Sequence, residues 1–253
     1  MDEMTIGYGF LLVVLGLVAG IINTLAGGGS NLTIPALMIS GMPPDVANAT
    51  NRVGVMMQSV IGVKQFHAKG KLPTGDLKAI LIPTLIGGLF GGVLASYAPP
   101  SLLKPALLLT MLGMAALVLF KPSVVIPEAG TPVKNVKETP GAWMALFVAG
   151  FYGGFVQAGV GFVLIAALAG SLRYDIVSTN ALKVVCTLAF TAVALALFIY
   201  NDQVAWLPGL LLAAGSMVGA WLGVSIAIDV SSKTMKWFLF WMTLVAVIAA
   251  TLK

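Results

Sequence analysis

Charge is what this sequence has least of. Only 9% of its 253 residues are charged, against 59% hydrophobic, and the mean hydropathy is +1.01. A soluble globule needs more polar surface than that, so the class is a polytopic membrane protein. A single cysteine, Cys186, excludes an intramolecular disulfide and reads as a small buried hydrophobe. The single histidine, His67, lies in the basic stretch 64–71 and is expected to be a solvated loop residue. None of the nine acidic residues falls in the middle of a hydrophobic run. Cation and proton carriers commonly rely on such carboxylates, and their absence speaks against a metal or sodium site built from them. The 12 methionines scatter without clustering, which speaks against copper. Gly-Gly-Gly-Ser lacks the lysine and the spacing of a nucleotide-binding loop. An integral-membrane enzyme is disfavoured too, because no cluster of titratable side chains sits at one membrane face. No metal, cofactor or nucleic-acid partner is therefore expected. The net charge of +5 lies mainly in loops between hydrophobic runs, where it signals orientation. The N-terminus, Met1-Asp2-Glu3-Met4, is acidic where a signal peptide needs positive charge, so the first hydrophobic run is expected in the mature chain.

What is present is a series of eight apolar runs: 5–40, 46–66, 78–97, 104–120, 141–171, 176–200, 204–228 and 236–252. They are too long and too uniformly apolar for barrel strands and read as helices. One polar linker, 121–140, rich in Pro, Lys and Glu, separates a first membrane repeat, 1–120, from a second, 141–253.

Inside the first run stands Asn23-Thr24-Leu25-Ala26-Gly27-Gly28-Gly29-Ser30-Asn31, then Pro35. Three consecutive glycines disfavour a continuous helix by about 1 kcal/mol each. They also allow positive φ and close approach of the backbone to a ligand. Ser30 or Asn31 is placed to cap a new short helix running to about Ser40. A helix that begins inside a membrane aims free N–H groups and a positive dipole end at whatever occupies the break. Such irregular backbone is tolerated at depth only where protein buries it or a cavity is lined by it. The plain alternative is that the glycines merely permit tight packing.

The second half repeats the first. Ala26 and the three glycines answer to Ala158-Gly159-Val160-Gly161, and Ala49-Thr50-Asn51 answers to Ser178-Thr179-Asn180. Gly87, Gly91 and Ala95 answer to Gly215, Gly219 and Gly223, two stripes that let helices pack closely. Duplication with interrupted runs in matching positions points to a transporter's site.

The run 5–40 would measure about 54 Å as one helix, against a hydrocarbon core of about 30 Å. A re-entrant hairpin with the glycines at its tip fits better. If both broken runs are hairpins, Lys64, Lys69, Lys71, Lys78, Lys121, Lys134, Lys137, Arg173, Lys233 and Lys236 share one side, and only Lys104 and Lys253 the other. Single crossings would divide the basic residues more evenly, so the positive-inside rule prefers hairpins. Each repeat then has three full crossings besides its hairpin, an odd number, and the repeats are inverted. The expected fold is all-α, with both termini outside.

Two basic residues remain at depth, Arg52 and Lys183, beside the Thr50-Asn51 and Thr179-Asn180 pairs. An isolated cation there costs at least about 2.5 kcal/mol. Snorkelling to the interface is the plain reading. An anion site is the sharper one, with Arg52 offering a planar fork and Lys183 a point charge.

The glycine break with Pro35, the Thr50-Asn51 helix start, the basic loop after it and the repeat with Gln157-Ala158-Gly159-Val160-Gly161 resemble the sulfite exporter family of TauE/SafE type. The resemblance implies a bacterial inner-membrane permease for small sulfur-containing anions such as sulfite, thiosulfate or sulfoacetate. It leaves protons as a candidate coupling ion. The substrate would be held by Gly27, Gly28, Gly29, Ser30, Asn31, Thr50, Asn51 and Arg52 of the first repeat and Gln157, Gly159, Gly161, Asn180 and Lys183 of the second. Val160 in place of a middle glycine, and Ile165 near the place of Pro35, set the second break apart. A passive anion channel with the same site is the alternative.

Overall fold

A computed structural model describes residues 3–120 and 131–229 of the chain. Among these residues every regular element is helical. They are α1 (Glu3–Leu25), α2 (Ser30–Ile39), α3 (Pro44–Ala68), α4 (Leu77–Tyr97), α5 (Pro100–Phe120), α6 (Pro140–Phe155), α7 (Val160–Ile165), α8 (Ile176–Tyr200) and α9 (Trp206–Asp229). A 3-10 turn, Val136–Glu138, precedes α6, and α7 runs on as a π-helical turn over Ala166–Ser171. The expected run 236–252, the basic residues Lys233, Lys236 and Lys253 around it, and the linker residues 121–130 with Lys121 lie outside the described residues.

Local chemistry sets several of these starts. Pro44 and Pro140 open α3 and α6, where a missing N–H costs nothing. The Asp175 carboxylate opens α8 by accepting from the N–H groups of Val177 and Ser178, both at 3.0 Å.

Four of the described helices, α1, α4, α8 and α9, are long and apolar enough to cross a membrane. Helix α3 matches α8 in length at 25 residues but carries Asn48, Asn51, Arg52 and Gln58, all buried. Polarity is turned inward while Phe10, Ile39, Phe90, Leu109 and Leu207, each more than half exposed, face outward. Such a continuous apolar exterior belongs in lipid rather than in water.

Both broken runs double back. The Tyr8 hydroxyl, early in α1, donates to Ser40 Oγ, just past α2, at 2.8 Å. The Lys134 N–H, just before α6, donates to the Leu172 carbonyl, just past the π turn, at 2.9 Å. Each run therefore ends on the face where it began. At the first face, Gln203 Nε2, between α8 and α9, donates to the Ser96 carbonyl near the end of α4 at 3.1 Å and to Asp45 Oδ2 at 3.4 Å. At the second face, Lys69 Nζ, after α3, donates to Ser225 Oγ near the end of α9 at 3.2 Å. Lys64, Lys69, Lys71, Lys78, Lys134, Lys137 and Arg173 gather at the second face, whereas Lys104 follows the α4–α5 turn at the first.

The packing is reciprocal. Helix α9 lies along α1, and α4 lies along α6, while α3 and α8 meet at the centre and touch α9 and α4 respectively. The small-residue stripes make this closeness possible. Added Cβ atoms on Gly215 and Gly219 would strike the backbone of Val13 and Leu17, and on Gly87 and Gly91 that of Phe147 and Phe151. With no side chains between them, the backbones pack directly.

In a Cys186→Ala background, single cysteines at Met42 and Ser101 should react with an impermeant maleimide from one side of a sealed vesicle. Cysteines at Lys69 and Lys134 should react from the other. Labelling of Met42 and Lys134 from the same side would refute two doubled-back runs.

Candidate functional site

The two breaks meet in the interior. Gly27 takes φ +83° directly after α1, a left-handed turn that favours glycine. Its Cα packs against that of Gly161, and the Gly161 N–H points at the Gly27 carbonyl at 3.4 Å. A Cβ on either residue would collide with the other's backbone. Gly29 sits against the Ala19 carbonyl and Asn23, whereas Gly28 faces only the edge of the Phe162 ring and Asn31.

The expected side-chain cap by Ser30 or Asn31 is not what starts α2. Gly29 precedes the helix in helical conformation and no side chain caps it at that position. Instead Asn23, on the last turn of α1, accepts from the Gly29 N–H at 2.7 Å. Because the chain doubles back, a side chain from before the break reaches the free N–H first.

The second break is built differently. Gln157 and Gly159 both take positive φ, +67° and +76°, and Val160 already belongs to the next helix. A non-glycine residue in that region is uncommon and carries strain. Gln157 is held by Nε2 donating to Thr191 Oγ1 at 2.8 Å, and the Tyr152 hydroxyl donates to the Ala158 carbonyl at 2.7 Å.

Both deep cations are fully buried, and both serve the carbonyl end of a broken helix in the opposite half. Arg52, on α3, donates to Gly153 O at 3.0 Å and Gly154 O at 2.6 Å, with Phe155 O at 3.4 Å. These carbonyls end α6. Its guanidinium also lies over the Phe198 ring, 5.0 Å from the centroid. Lys183, on α8, donates to Thr24 O, at the end of α1, and to Asn180 Oδ1, both at 2.8 Å. A helix that stops in the interior leaves carbonyls and a negative dipole end without water, and a cation satisfies both.

Between the breaks lies a polar cavity lined by Asn23, Thr24, Gly27, Ser30, Gln58 and Ser59 from the first half and Gln157 and Thr187 from the second, with Val55, Val160 and Val184. It is narrow. A water-sized sphere can occupy about 20 Å³ of it, room for about one water molecule.

Of the residues expected from sequence, Gly27, Ser30 and Gln157 line this cavity, and Gly161 closes on Gly27. Gly28, Gly29, Asn31 and Gly159 belong to the same two breaks. Asn51 stands one layer back, donating to Ser30 Oγ at 3.0 Å and accepting from the Thr33 hydroxyl at 2.5 Å. Thr50 faces away and accepts from the Ala205 N–H at 3.0 Å. Asn180 pairs with Lys183. Asn23 and Thr24, part of the break motif, and Gln58, Ser59 and Thr187 also line the cavity but are not among the ligands expected from sequence. Their signal was available: Gln58-Ser59 is a polar pair in an apolar run, and Thr187 follows Lys183 by four residues, on one helix face.

A family profile described as sulfite exporter TauE/SafE matches residues 12–250. The chain belongs to that family. Its relatives include a "Probable membrane transporter protein" of Haemophilus influenzae, 29% identical over 88% of this chain and 87% of that one. A "Probable membrane transporter protein YfcA" of Escherichia coli K12 is 26% identical over 89% of this chain and 83% of its own length. A Sinorhizobium protein named "Probable membrane transporter protein ORF9" is 25% identical over 89% and 85%. This TauE/SafE member is a multi-pass protein of a membrane-transporter family.

Proposed function

We propose that this TauE/SafE member is a secondary transporter that exports small sulfur-containing anions such as sulfite, thiosulfate or sulfoacetate by alternating access. The observation that carries this reading is the contact of the two breaks around one polar cavity lined from both halves. Midplane sites at a repeat interface, built from interrupted helices, are what such carriers use.

Residues 1–120 and 141–253 act as inverted repeats joined by 121–140. Exchanging the halves turns the α1–α9 packing into α6–α4 and the α3–α9 packing into α8–α4. It also turns the Arg52 cap on α6 into the Lys183 cap on α1. The basic second face lies in the cytoplasm by the positive-inside rule, which puts both termini on the outer side of the inner membrane.

Ser30, Asn31 and Gln157 offer side-chain donors to the anion, with the backbone of Gly28 and Gly159 beside them. Gly27, Gly29 and Gly161, whose N–H groups already point at Ile22 O, Asn23 Oδ1 and Gly27 O, shape the two breaks. Asn51 fixes the first break through Ser30 and Thr33, Thr50 ties α3 to the segment before α9, and Asn180 orients Lys183. Arg52 and Lys183 supply positive potential from behind the helix ends they cap.

Proteoliposomes loaded with purified protein should take up labelled thiosulfate or sulfoacetate saturably, and faster when unlabelled anion is present inside. Uptake that rises linearly with concentration and ignores the trans anion would establish a channel. An imposed pH gradient that leaves the rate unchanged would remove protons as the coupling ion.

A further inference from the structure

Arg52 and Lys183 are the charged members of the buried polar set, and every other buried polar residue among those described is neutral. Their partners are backbone carbonyls and one amide, which orient dipoles but carry no net charge. Helices α3 and α8 enter from opposite faces. Arg52 lies about 12 Å along α3 from Pro44, and Lys183 about 10 Å along α8 from Ile176. On each helix the cavity residues come next, Val55, Gln58 and Ser59 after Arg52, and Val184 and Thr187 after Lys183. The cavity is thus flanked by one cation toward each face. Among the described residues no fully buried carboxylate balances either: Asp45, whose Oδ1 is buried, sits in the first turn of α3, about 10 Å along the helix from Arg52 and away from the cavity.

Two like charges without counter-charge raise the potential of the space between them, and burial leaves that potential poorly screened. A monoanion cancels one of them. An anion of charge −2 cancels both. We infer that the site selects dianions over monoanions of the same size and shape, with each cation contributing one unit of that preference. The inference rests on the anion-transport reading and names the substrate's charge class.

The test uses the full chain in lipid nanodiscs at neutral pH, with two size-matched pairs. Sulfoacetate is compared with sulfoacetamide, which replaces the carboxylate by a neutral amide, and thiosulfate with methanethiosulfonate, a monoanion. Each dianion should bind at least about tenfold more tightly than its partner, as expected for one extra charge some 10 Å from a cation at an effective dielectric of about 20. Lys183→Gln should shrink that ratio by about the same factor, and Lys183→Arg should keep it. Equal affinities within each pair in the wild-type protein would overturn the inference while leaving anion transport standing. A ratio unchanged in a Lys183→Gln protein that still binds would overturn it as well. If neither member of either pair binds, the transport reading itself fails and the inference with it. Should Lys183→Gln not fold, the wild-type comparison alone decides.

Discussion

Gly27→Ala should abolish transport and lower stability by roughly 2–5 kcal/mol. The estimate adds about 1–2 kcal/mol for a left-handed backbone in an L-residue to about 1–3 kcal/mol for overpacking. The new Cβ cannot be absorbed by a rotamer change, because what it meets is the backbone of Gly161. Gly161→Ala should do nearly as much from the other side of the same crossing, through its collision with Gly27 Cα and the Ala26 carbonyl. Gly28→Ala is the control. Its Cβ would lie 3.4 Å from the Phe162 ring, a movable side chain, and Gly28 needs no positive φ. That variant should stay within about 1 kcal/mol of the wild type and keep measurable flux. Thermal unfolding in detergent and proteoliposome uptake report the two effects separately. Equal damage from Gly28→Ala and Gly27→Ala would show that the glycines act through something other than their crossing.

Arg52→Gln should be the most destabilising side-chain change in the interior. It removes two good hydrogen bonds to the last carbonyls of α6 and weakens the tie to Phe155 O, where water cannot replace them. At about 1–3 kcal/mol for each acceptor left unsatisfied, a loss of roughly 3 kcal/mol or more is expected. Arg52→Lys should recover part of it, because one ammonium keeps the charge but cannot reproduce the fork that reaches adjacent carbonyls. Lys183→Gln should be milder. Lys183 serves one foreign carbonyl, that of Thr24, and its second partner, Asn180, sits on its own helix. Melting of the purified variants in detergent measures the order. If Arg52→Gln melts with the wild type but loses anion affinity, the guanidinium is a direct ligand and not the cap of α6.

The candidate site was legible in outline and not in detail, for a reason visible at particular residues. The glycines were found because a triple glycine is incompatible with the helices around it, and Arg52 and Lys183 because charge is costly inside an apolar run. Which of three glycines needed its missing side chain was not legible: Gly27 and Gly29 abut backbone, whereas Gly28 does not. The expectation that Ser30 or Asn31 caps α2 followed the usual local rule. It failed because Asn23 returns across a hairpin whose closeness no local rule contains. Thr50 and Asn51, adjacent in the chain, go to different work, since neighbouring residues on a helix point about 100° apart.

By itself the sequence determined the membrane class, the helical content and the position of both breaks. All of these depend on composition, on local propensity or on the cost of polar groups in hydrocarbon, and those are properties of a residue and its near neighbours. Tertiary structure decided that the breaks touch each other, that α9 seals α1 while α4 seals α6, and that the deep cations cap helix ends in the opposite half. Each of those pairings joins residues about sixty or more positions apart. Their partners are backbone carbonyls and glycine Cα atoms, which every sequence possesses and which gain specificity only from where the fold leaves them.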